Sequence, residues 1–255
     1  MIGLFDSGSG WLSLLAALRY SHPEWSYVYF ADYEHCPFWD KTPEEILSYT
    51  TSGVQKLFDA GATLVILACN TASVWTLRKL QTEIFPGKKI LWVTIPGAEK
   101  AIEFWSTRAT VFATHQTVKS RAFTQRMNLT DKNISVDEIA LPGELVMEIE
   151  WLLPVKRCHT TADFLRLMEL YFPSWWLCEG DEWFALTQKY FGWFVLDSDC
   201  IILGCTHYSY LKKSLEKIFP TITIIDPSLE ACRKIEPYMR KHAINILSNS
   251  EIIFL

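Results

Sequence analysis

Two similar segments, far apart in the chain, constrain the fold more than any other feature. The first is residues 64–73, LVILACNTAS, and the second is residues 200–207, CIILGCTH. Each is an apolar run that ends in a small residue and a cysteine, followed by hydroxyl, amide or imidazole side chains. Such aliphatic runs are typical of strands buried on both faces of a parallel sheet. The sequence therefore predicts an α/β protein with Cys69 and Cys205 at the carboxyl ends of two strands.

The end of a parallel strand is a favourable place for a reactive thiol. In open α/β sheets, the loops after the strands converge on a crevice, and the following helices direct N–H groups into it. Two such strand ends suggest one shared cleft. A thiol that faces a helix N-terminus can have its pKa lowered, so that thiolate is populated near neutral pH. We therefore expect Cys69 and Cys205 to act in the same site.

A glycine-rich turn belongs to the same pattern. Residues 2–5 form a short apolar run that leads into Asp6-Ser7-Gly8-Ser9-Gly10, and leucines then recur at helical spacing. This order predicts a strand, a tight turn and a helix. Glycines let the backbone approach a ligand, and a helix N-terminus favours an anion. The carboxylate of Asp6 at the strand end indicates that the turn is functional.

Strands alternate with helices along the chain, which predicts two pseudo-symmetric, doubly wound α/β domains with the active site in the cleft between them. We assign residues 1–95 and 210–255 to the first domain and residues 96–209 to the second. A strand at residues 221–225 is expected to return to the first domain. The second domain carries a tryptophan-rich insertion at about residues 160–194, interpreted either as a local hydrophobic cluster or as a subunit contact or lid.

Composition excludes several classes of function. The net charge of the 255 residues is −5, with acidic and basic residues interspersed, so we expect neither nucleic acid nor an anionic membrane as a partner. No apolar run approaches the ~20 residues needed to span a bilayer, and no basic leader follows Met1, so a cytoplasmic protein is expected.

Seven cysteines without a CxxC pair argue against a disulfide framework and a structural zinc site. Cys205 and His207 would be only two metal ligands without carboxylate support, and no metal is expected. The remaining cysteines are interpreted as small buried hydrophobic residues. These are Cys36, Cys158, Cys178, Cys200 and Cys232.

Two chemistries fit the thiols. A single thiol beside His207 would suit an acyl-transfer nucleophile, because an imidazole can stabilise the thiolate. Two matched thiols that face one carbon from opposite sides suit a different reaction. One thiolate removes a proton while the other thiol delivers one to the far face, which inverts the stereocentre.

Taken together, these motifs resemble the aspartate/glutamate racemase family, and most closely its glutamate racemases. The matching parts are residues 3–10, 29–32 with Pro37, 68–73, Thr114 with Thr117 and Ser120, and 203–208. The resemblance implies two α/β domains, no cofactor, interconversion of L- and D-glutamate by two thiols, and a role in supplying D-glutamate for peptidoglycan. The partner that it implies is a small-molecule amino-acid substrate, and a homodimer is left open.

The same resemblance implies roles for individual residues. Cys69 and Cys205 would be the two acid/bases, Asp6 would tune Cys69, and His207 with a glutamate would tune Cys205. Glu148 and Glu150 both lie near the expected place of that glutamate, and we favour Glu150. The residues implied to contact the substrate are Ser7, Pro37, Phe38, Trp39, Asn70, Thr71, Thr114 and Thr206.

Two tryptophans depart from the family pattern. Trp11 and Trp39 stand where the family has glycines in turns, so we expect two indoles near the pocket and a turn without free access to positive φ. These departures leave two alternatives open. One is a catalytically silent relative that binds an amino acid or a protein partner, and the other is a racemase for aspartate or another amino acid.

Overall fold

The fold comes from a computed structural model that describes residues 1–104, 106–130, 133–153, 180–246 and 249–255. The described strands are β1 (Ile2–Asp6), β2 (Tyr27–Ala31), β3 (Leu64–Leu67), β4 (Lys89–Trp92), β5 (Arg108–Ala113), β6 (Ser135–Ala140), β7 (Cys200–Gly204), β8 (Thr223–Ile225) and β9 (Ile252–Phe254). They form a five-stranded sheet in the order β4-β3-β1-β2-β9 and a four-stranded sheet in the order β6-β5-β7-β8. Every pair of neighbouring strands is parallel, which confirms the predicted fold class.

The described helices connect these strands. They are α1 (Trp11–Ser21), α2 (Pro43–Asp59), α3 (Asn70–Lys79), α4 (Thr94–Glu103), α5 (His115–Ser120), α6 (Ala122–Thr130), α7 (Gly143–Leu152), α8 (Asp181–Phe191), α9 (Lys212–Ile218) and α10 (Pro227–Lys241). Short 3-10 turns lie at Phe38–Asp40 and Thr206–Leu211. No helix of the described residues is long and apolar enough to cross a membrane.

The start of α2 illustrates how local sequence fixes an element. The Thr42 hydroxyl accepts a hydrogen bond from the Glu45 N–H (3.2 Å), and the Glu45 carboxylate accepts one from the Thr42 N–H (2.8 Å). This capping box satisfies two backbone donors at the helix end, and Pro43 supplies a suitable first residue. The helix start predicted from the sequence is therefore confirmed.

Alternating residues along the strands explain the layers of the molecule. Leu4 of β1 and Leu203 of β7 belong to one hydrophobic cluster shared by both sheets, together with residues of α1 and α10. Phe5 belongs to a second cluster on the outer face of the first sheet, and Ile202 to a third on the second sheet. Because successive strand residues point to opposite faces, both sheets are covered on both sides.

The strand register brings the predicted site residues to two edges. Phe5 of β1 is paired with Leu67 of β3, so Asp6 and Cys69 leave the first sheet at the same edge. Ala113 of β5 is paired with Gly204 of β7, so Thr114 and Cys205 leave the second sheet together.

The placement of the strand at residues 221–225 with the first domain is wrong. In the structure β8 pairs with β7, with Thr223 opposite Cys200, because α9 provides a short crossover to the neighbouring parallel position. The return to the first sheet is made by β9, whose Ile252 pairs with Tyr27. The sequence analysis missed this three-residue strand. The division into two domains stays a prediction, with β8 moved to the second sheet.

The expectation that Trp11 lies in a turn is also wrong. Trp11 is the first residue of α1, is 1% exposed, and stacks on Tyr29 with ring centroids 3.4 Å apart. The helix begins immediately after Gly10, so residue 11 already faces the shared cluster, and the indole serves the core.

Part of the tryptophan-rich insertion packs on the second sheet. The rings of Phe191 and Phe194 lie 5.0 and 4.9 Å from that of Phe112, and Trp183 lies 6.3 Å from Tyr210. In contrast, Trp193 is 69% exposed. Residues 154–179, with Trp175 and Trp176, lie outside the described residues, so the subunit contact or lid stays a prediction.

Candidate active site

The first thiol lies between a strand and a helix. Cys69 caps the N-terminus of α3, and its Sγ accepts a hydrogen bond from the Ala72 N–H at 3.4 Å. The Ser7 hydroxyl lies 3.2 Å from the same sulfur. Although these two groups favour the thiolate, burial, followed by the negative charge of Asp6, raises the pKa of Cys69. Cys69 is therefore a protonated thiol at neutral pH, because burial and Asp6 outweigh the lowering of its pKa by the helix N-terminus.

Asp6 shares the surroundings of this thiol. Its carboxylate accepts hydrogen bonds from the Gly8 N–H (3.0 Å) and the Thr206 hydroxyl (3.2 Å). Burial raises the pKa of Asp6 to about 7, against the opposing effects of His207 and the two hydrogen bonds. Asp6 can therefore both hold and release a proton near neutral pH. The bond to Thr206 also joins the loop after β1 to the loop after β7.

This contact between loops needs a glycine. A Cβ at Gly10 would lie 2.0 Å from the Thr206 Oγ1 atom, which is far inside any real contact. Gly10 therefore allows the two loops to meet.

The second thiol is linked to an ion pair. Cys205 Sγ lies 3.8 Å from His207 Nδ1, and His207 Nε2 lies 2.6 Å from Glu150 Oε1. Burial opposes charge on both partners, but their hydrogen bond and mutual attraction prevail. The pKa of Glu150 is lowered to about 2, and that of His207 is raised well above its ordinary value by its bonds to Cys205 and Glu150. A carboxylate and an imidazolium therefore stand beside Cys205.

The structure resolves which glutamate lies here. Glu150 is buried on α7 and contacts His207. Glu148 instead contacts Lys189 (2.8 Å) and the Tyr190 hydroxyl (2.6 Å) on the surface. The choice of Glu150 over Glu148 agrees with this geometry.

A group of hydroxyls spans the two sheets. Thr71 Oγ1, at the start of α3, lies 2.8 Å from Thr114 Oγ1, which in turn lies 3.1 Å from Thr117 Oγ1. The Thr94 hydroxyl donates to the Asn70 side-chain oxygen at 2.9 Å. Hydroxyl groups beside the N-terminus of α3 can donate hydrogen bonds to the carboxylates of an amino acid.

Comparisons with known proteins show which proteins the chain is similar to. No protein-family profile matches the chain. Glutamate racemase from Ruegeria pomeroyi is 28% identical over 94% of this chain and 86% of that protein. The glutamate racemase of a Jannaschia species is 40% identical over 162 residues, which are 58% of this chain and 59% of that protein. The crystal structure of Francisella tularensis glutamate racemase with D-glutamate superimposes with a TM-score of 0.79 at 25% identity, covering 99% of this chain and 86% of that one.

Over most of its length the chain is similar to proteins named glutamate racemase. This similarity confirms the resemblance to glutamate racemases that the sequence motifs indicated and agrees with the expectation of an isomerase. The roles of the individual residues stay predictions, and the structure reports where each one lies.

The turn at residues 37–39 contributes mostly packing. Phe38 is fully buried, with its ring 6.3 Å from that of Phe5. The Trp39 indole rests on Gly143 at the start of α7, since a Cβ there would lie 2.5 Å from the indole nitrogen. Pro37 precedes this 3-10 turn. Trp39 thus touches the helix that carries Glu150, and its contact with a substrate stays a prediction.

The interpretation of the other cysteines holds in part. Cys200 and Cys232 are buried free thiols, whereas Cys36 is only partly buried. Cys158 and Cys178 lie outside the described residues.

Sequence reasoning missed two polar residues of the site, Ser9 and Thr94. Ser9 donates hydrogen bonds to Glu150 from its N–H (2.9 Å) and its hydroxyl (2.6 Å). Its position between the glycines of the loop after β1 was the available signal, because a polar side chain in such a loop is held close to the site.

Proposed function

We propose that this protein is a member of the aspartate/glutamate racemase family and interconverts L- and D-glutamate by proton transfer at Cα between Cys69 and Cys205. One observation carries the proposal: two buried thiols follow strands of two different sheets, and each has its own carboxyl group. Burial, followed by the charge of Asp6, raises the pKa of Cys69, and Glu150 contacts His207, which lies beside Cys205. The substrate is proposed from the relatives named glutamate racemase and from the D-glutamate complex of the Francisella protein.

In one direction Cys205 is the base. The His207 imidazolium, held by Glu150, stabilises the thiolate of Cys205, which removes the Cα proton of one enantiomer. The electron pair left at Cα is delocalised into the α-carboxylate. Cys69, a protonated thiol, delivers its proton to the opposite face. One proton leaves and one arrives, so the product is the mirror image of the substrate.

In the other direction Cys69 is the base and Cys205 the acid. Cys69 must first lose its proton, and Asp6, with a pKa of about 7, is a nearby group that can accept it. The bond between Asp6 and Thr206 keeps this carboxyl group in place.

The remaining polar groups would hold the amino acid between the thiols. Hydroxyl groups are offered by Ser7, Thr71, Thr114 and Thr206. Helix α3 begins at Asn70, and the N–H groups of its first turn would bind one substrate carboxylate. Each substrate carboxylate would thus be bound by oriented dipoles.

The proposal includes the biological setting that the resemblance implies. The protein would act in the cytoplasm and supply D-glutamate for peptidoglycan, and the homodimer and the domain division belong to the same proposal. Sedimentation of the purified chain would test the dimer.

Circular dichroism of a panel of D- and L-amino acids, incubated with the purified protein, tests the activity. We expect the signal of either glutamate enantiomer to decay to zero. Decay of aspartate alone would transfer the proposal to the aspartate branch of the family. Amino acids that neither racemise nor exchange their Cα proton in deuterated water would contradict it and favour a silent relative.

A further inference from the structure

The loop after β1 carries two serines with different partners. The Ser7 hydroxyl lies 3.2 Å from the sulfur of Cys69. The Ser9 hydroxyl donates to Glu150 Oε1 at 2.6 Å, and the Ser9 N–H donates to the same oxygen at 2.9 Å. One loop therefore reaches both thiols, directly at Cys69 and through Glu150 and His207 at Cys205.

Three donors converge on a single oxygen of Glu150. Two come from Ser9, and the third is His207 Nε2 at 2.6 Å. With Oε1 fixed in this way, Nε2 carries a proton, and Nδ1 is directed to Cys205 Sγ. Hydrogen bonds to a charged group are among the stronger ones in proteins, so the Ser9 hydroxyl restricts the carboxylate substantially.

Ser9 is itself held firmly. It is fully buried, and its carbonyl oxygen accepts a hydrogen bond from the Tyr210 hydroxyl at 3.0 Å. Tyr210 lies on the same 3-10 turn as His207. Ser9 therefore connects α7, which carries Glu150, with the turn that carries the imidazole.

We propose that Ser9 is a positioning residue, which fixes the Glu150 carboxylate so that His207 serves Cys205 and which thereby acts on proton transfer by Cys205 and not by Cys69. The inference rests on the proposed function. It predicts an effect on one half of the reaction, because the hydrogen bonds of Asp6 and Ser7, which serve the other half, do not involve the Ser9 hydroxyl.

The test needs a reaction that uses one thiol at a time. Racemisation itself is unsuitable, since its equilibrium constant of one forces kcat/KM to be equal for both enantiomers. The probe is 3-chloroglutamate of D or L configuration at Cα. A thiolate removes the Cα proton, the electron pair forms a carbon–carbon double bond, and the carbon–chlorine bond breaks to release chloride. Chloride release from each configuration then reports on one thiol, assigned with Cys69→Ser and Cys205→Ser.

We expect Ser9→Ala to slow chloride release about ten-fold for the configuration that needs Cys205, as the loss of a hydrogen bond to a charged group implies. Release from the other configuration should stay within about two-fold of the parent, because the thiol that serves it loses no hydrogen bond. Equal losses for both configurations, or no loss for either, would overturn the proposal.

Ser13→Ala is the matched control. Ser13 is also buried, and its hydroxyl donates to the Gly10 carbonyl at 3.1 Å, in the same loop but not to Glu150. We expect it to leave the ratio of the two rates unchanged. In a Glu150→Gln background, Ser9→Ala should cause no further loss, whereas an additive loss would show that Ser9 acts elsewhere. If Ser9→Ala fails to fold, Ser9→Thr, which keeps the hydroxyl, is tested for retention of the parent rate ratio, and a changed ratio counts against the proposal.

A second measurement does not require activity. Nitrogen chemical shifts of the imidazole, assigned to His207 with His207→Gln, report its protonation and hydrogen bonding. Ser9→Ala should shift them and Ser13→Ala should not. A parent that neither racemises glutamate nor releases chloride would refute the proposed function. Unshifted His207 signals in Ser9→Ala would refute the role of Ser9.

Discussion

The surroundings of the two thiols differ although both thiols follow parallel strands. Cys69 lies among buried groups whose pKa values are raised, chiefly by burial, with Asp6 beside it. Cys205 lies beside a carboxylate and an imidazolium that stabilise each other's charge. A two-base reaction needs one proton donor and one acceptor at the same time. The difference teaches that two thiols after parallel strands can have opposite electrostatic surroundings, as the proposed reaction would require.

The largest test removes each thiol in turn. Cys69→Ser and Cys205→Ser should each lower racemisation by roughly 10⁴-fold, the upper end of what acid–base catalysis contributes, because a serine hydroxyl cannot ionise in this pH range. Circular dichroism of D- and L-glutamate measures the rates. A mutant that racemises at the parent rate would remove its thiol from the mechanism.

The second test asks whether Trp11 and Trp39 each support the stability of the core or the activity of the site. Trp11→Ala should lower the free energy of unfolding by about 3 to 5 kcal/mol, because the indole is buried and stacked on Tyr29. Trp39→Ala serves as the comparison: its indole is partly exposed and rests on Gly143 of α7, which carries Glu150. We expect it to change KM or kcat more than stability. Denaturant unfolding and steady-state kinetics give both quantities, and a reversed pattern would contradict this assignment.

The third test concerns the ion pair of the second half. Glu150→Gln should lower racemisation about a hundred-fold, because it leaves His207 without the charge that keeps it protonated. Glu148→Gln, on the same helix but facing Lys189, should retain the parent rate. Similar losses in both variants would mean that the charge of α7 matters and the contact with His207 does not.

The smallest effect concerns stability and pH. Asp6 has an ordinary pKa of 3.8 and a pKa of about 7 in the folded protein, so between these values the folded state binds more protons than the unfolded chain. The contribution of Asp6 to stability therefore falls as pH rises from about 4 to about 7. Asp6→Asn removes this effect, and we expect it to raise the free energy of unfolding at pH near 8 and to change it little at pH near 4.

Glu150 should give the opposite pH dependence of the free energy of unfolding. Its pKa is lowered from 4.5 to about 2, so its contribution is complete above about 4.5 and is lost as pH falls towards about 2. Glu150→Gln should therefore destabilise the protein near neutral pH. Urea unfolding of both variants measures how the free energy of unfolding changes with pH. The same pH dependence in both variants would contradict the electrostatic difference between the surroundings of Cys69 and Cys205.

The sequence determined the parts whose signal is local. Apolar runs, capping residues and glycines predicted β3, β7, α2 and the loop after β1, because strand and helix formation depends on neighbouring residues. The motifs around Cys69 and Cys205 indicated the resemblance to glutamate racemases. The preference for Glu150 over Glu148 agrees with the contact between Glu150 and His207.

Only the tertiary structure decided what depends on distant contacts. Strand β8 joins the sheet whose edge strand, β7, is open to pairing with it. Trp11 lies in the core because the two sheets share one hydrophobic cluster. Ser9 meets Glu150 across 141 positions of the chain, so no local pattern could pair them. The pKa of Cys69 is decided in the same way: the helix N-terminus visible in the sequence favours the thiolate, but burial by the folded chain outweighs it.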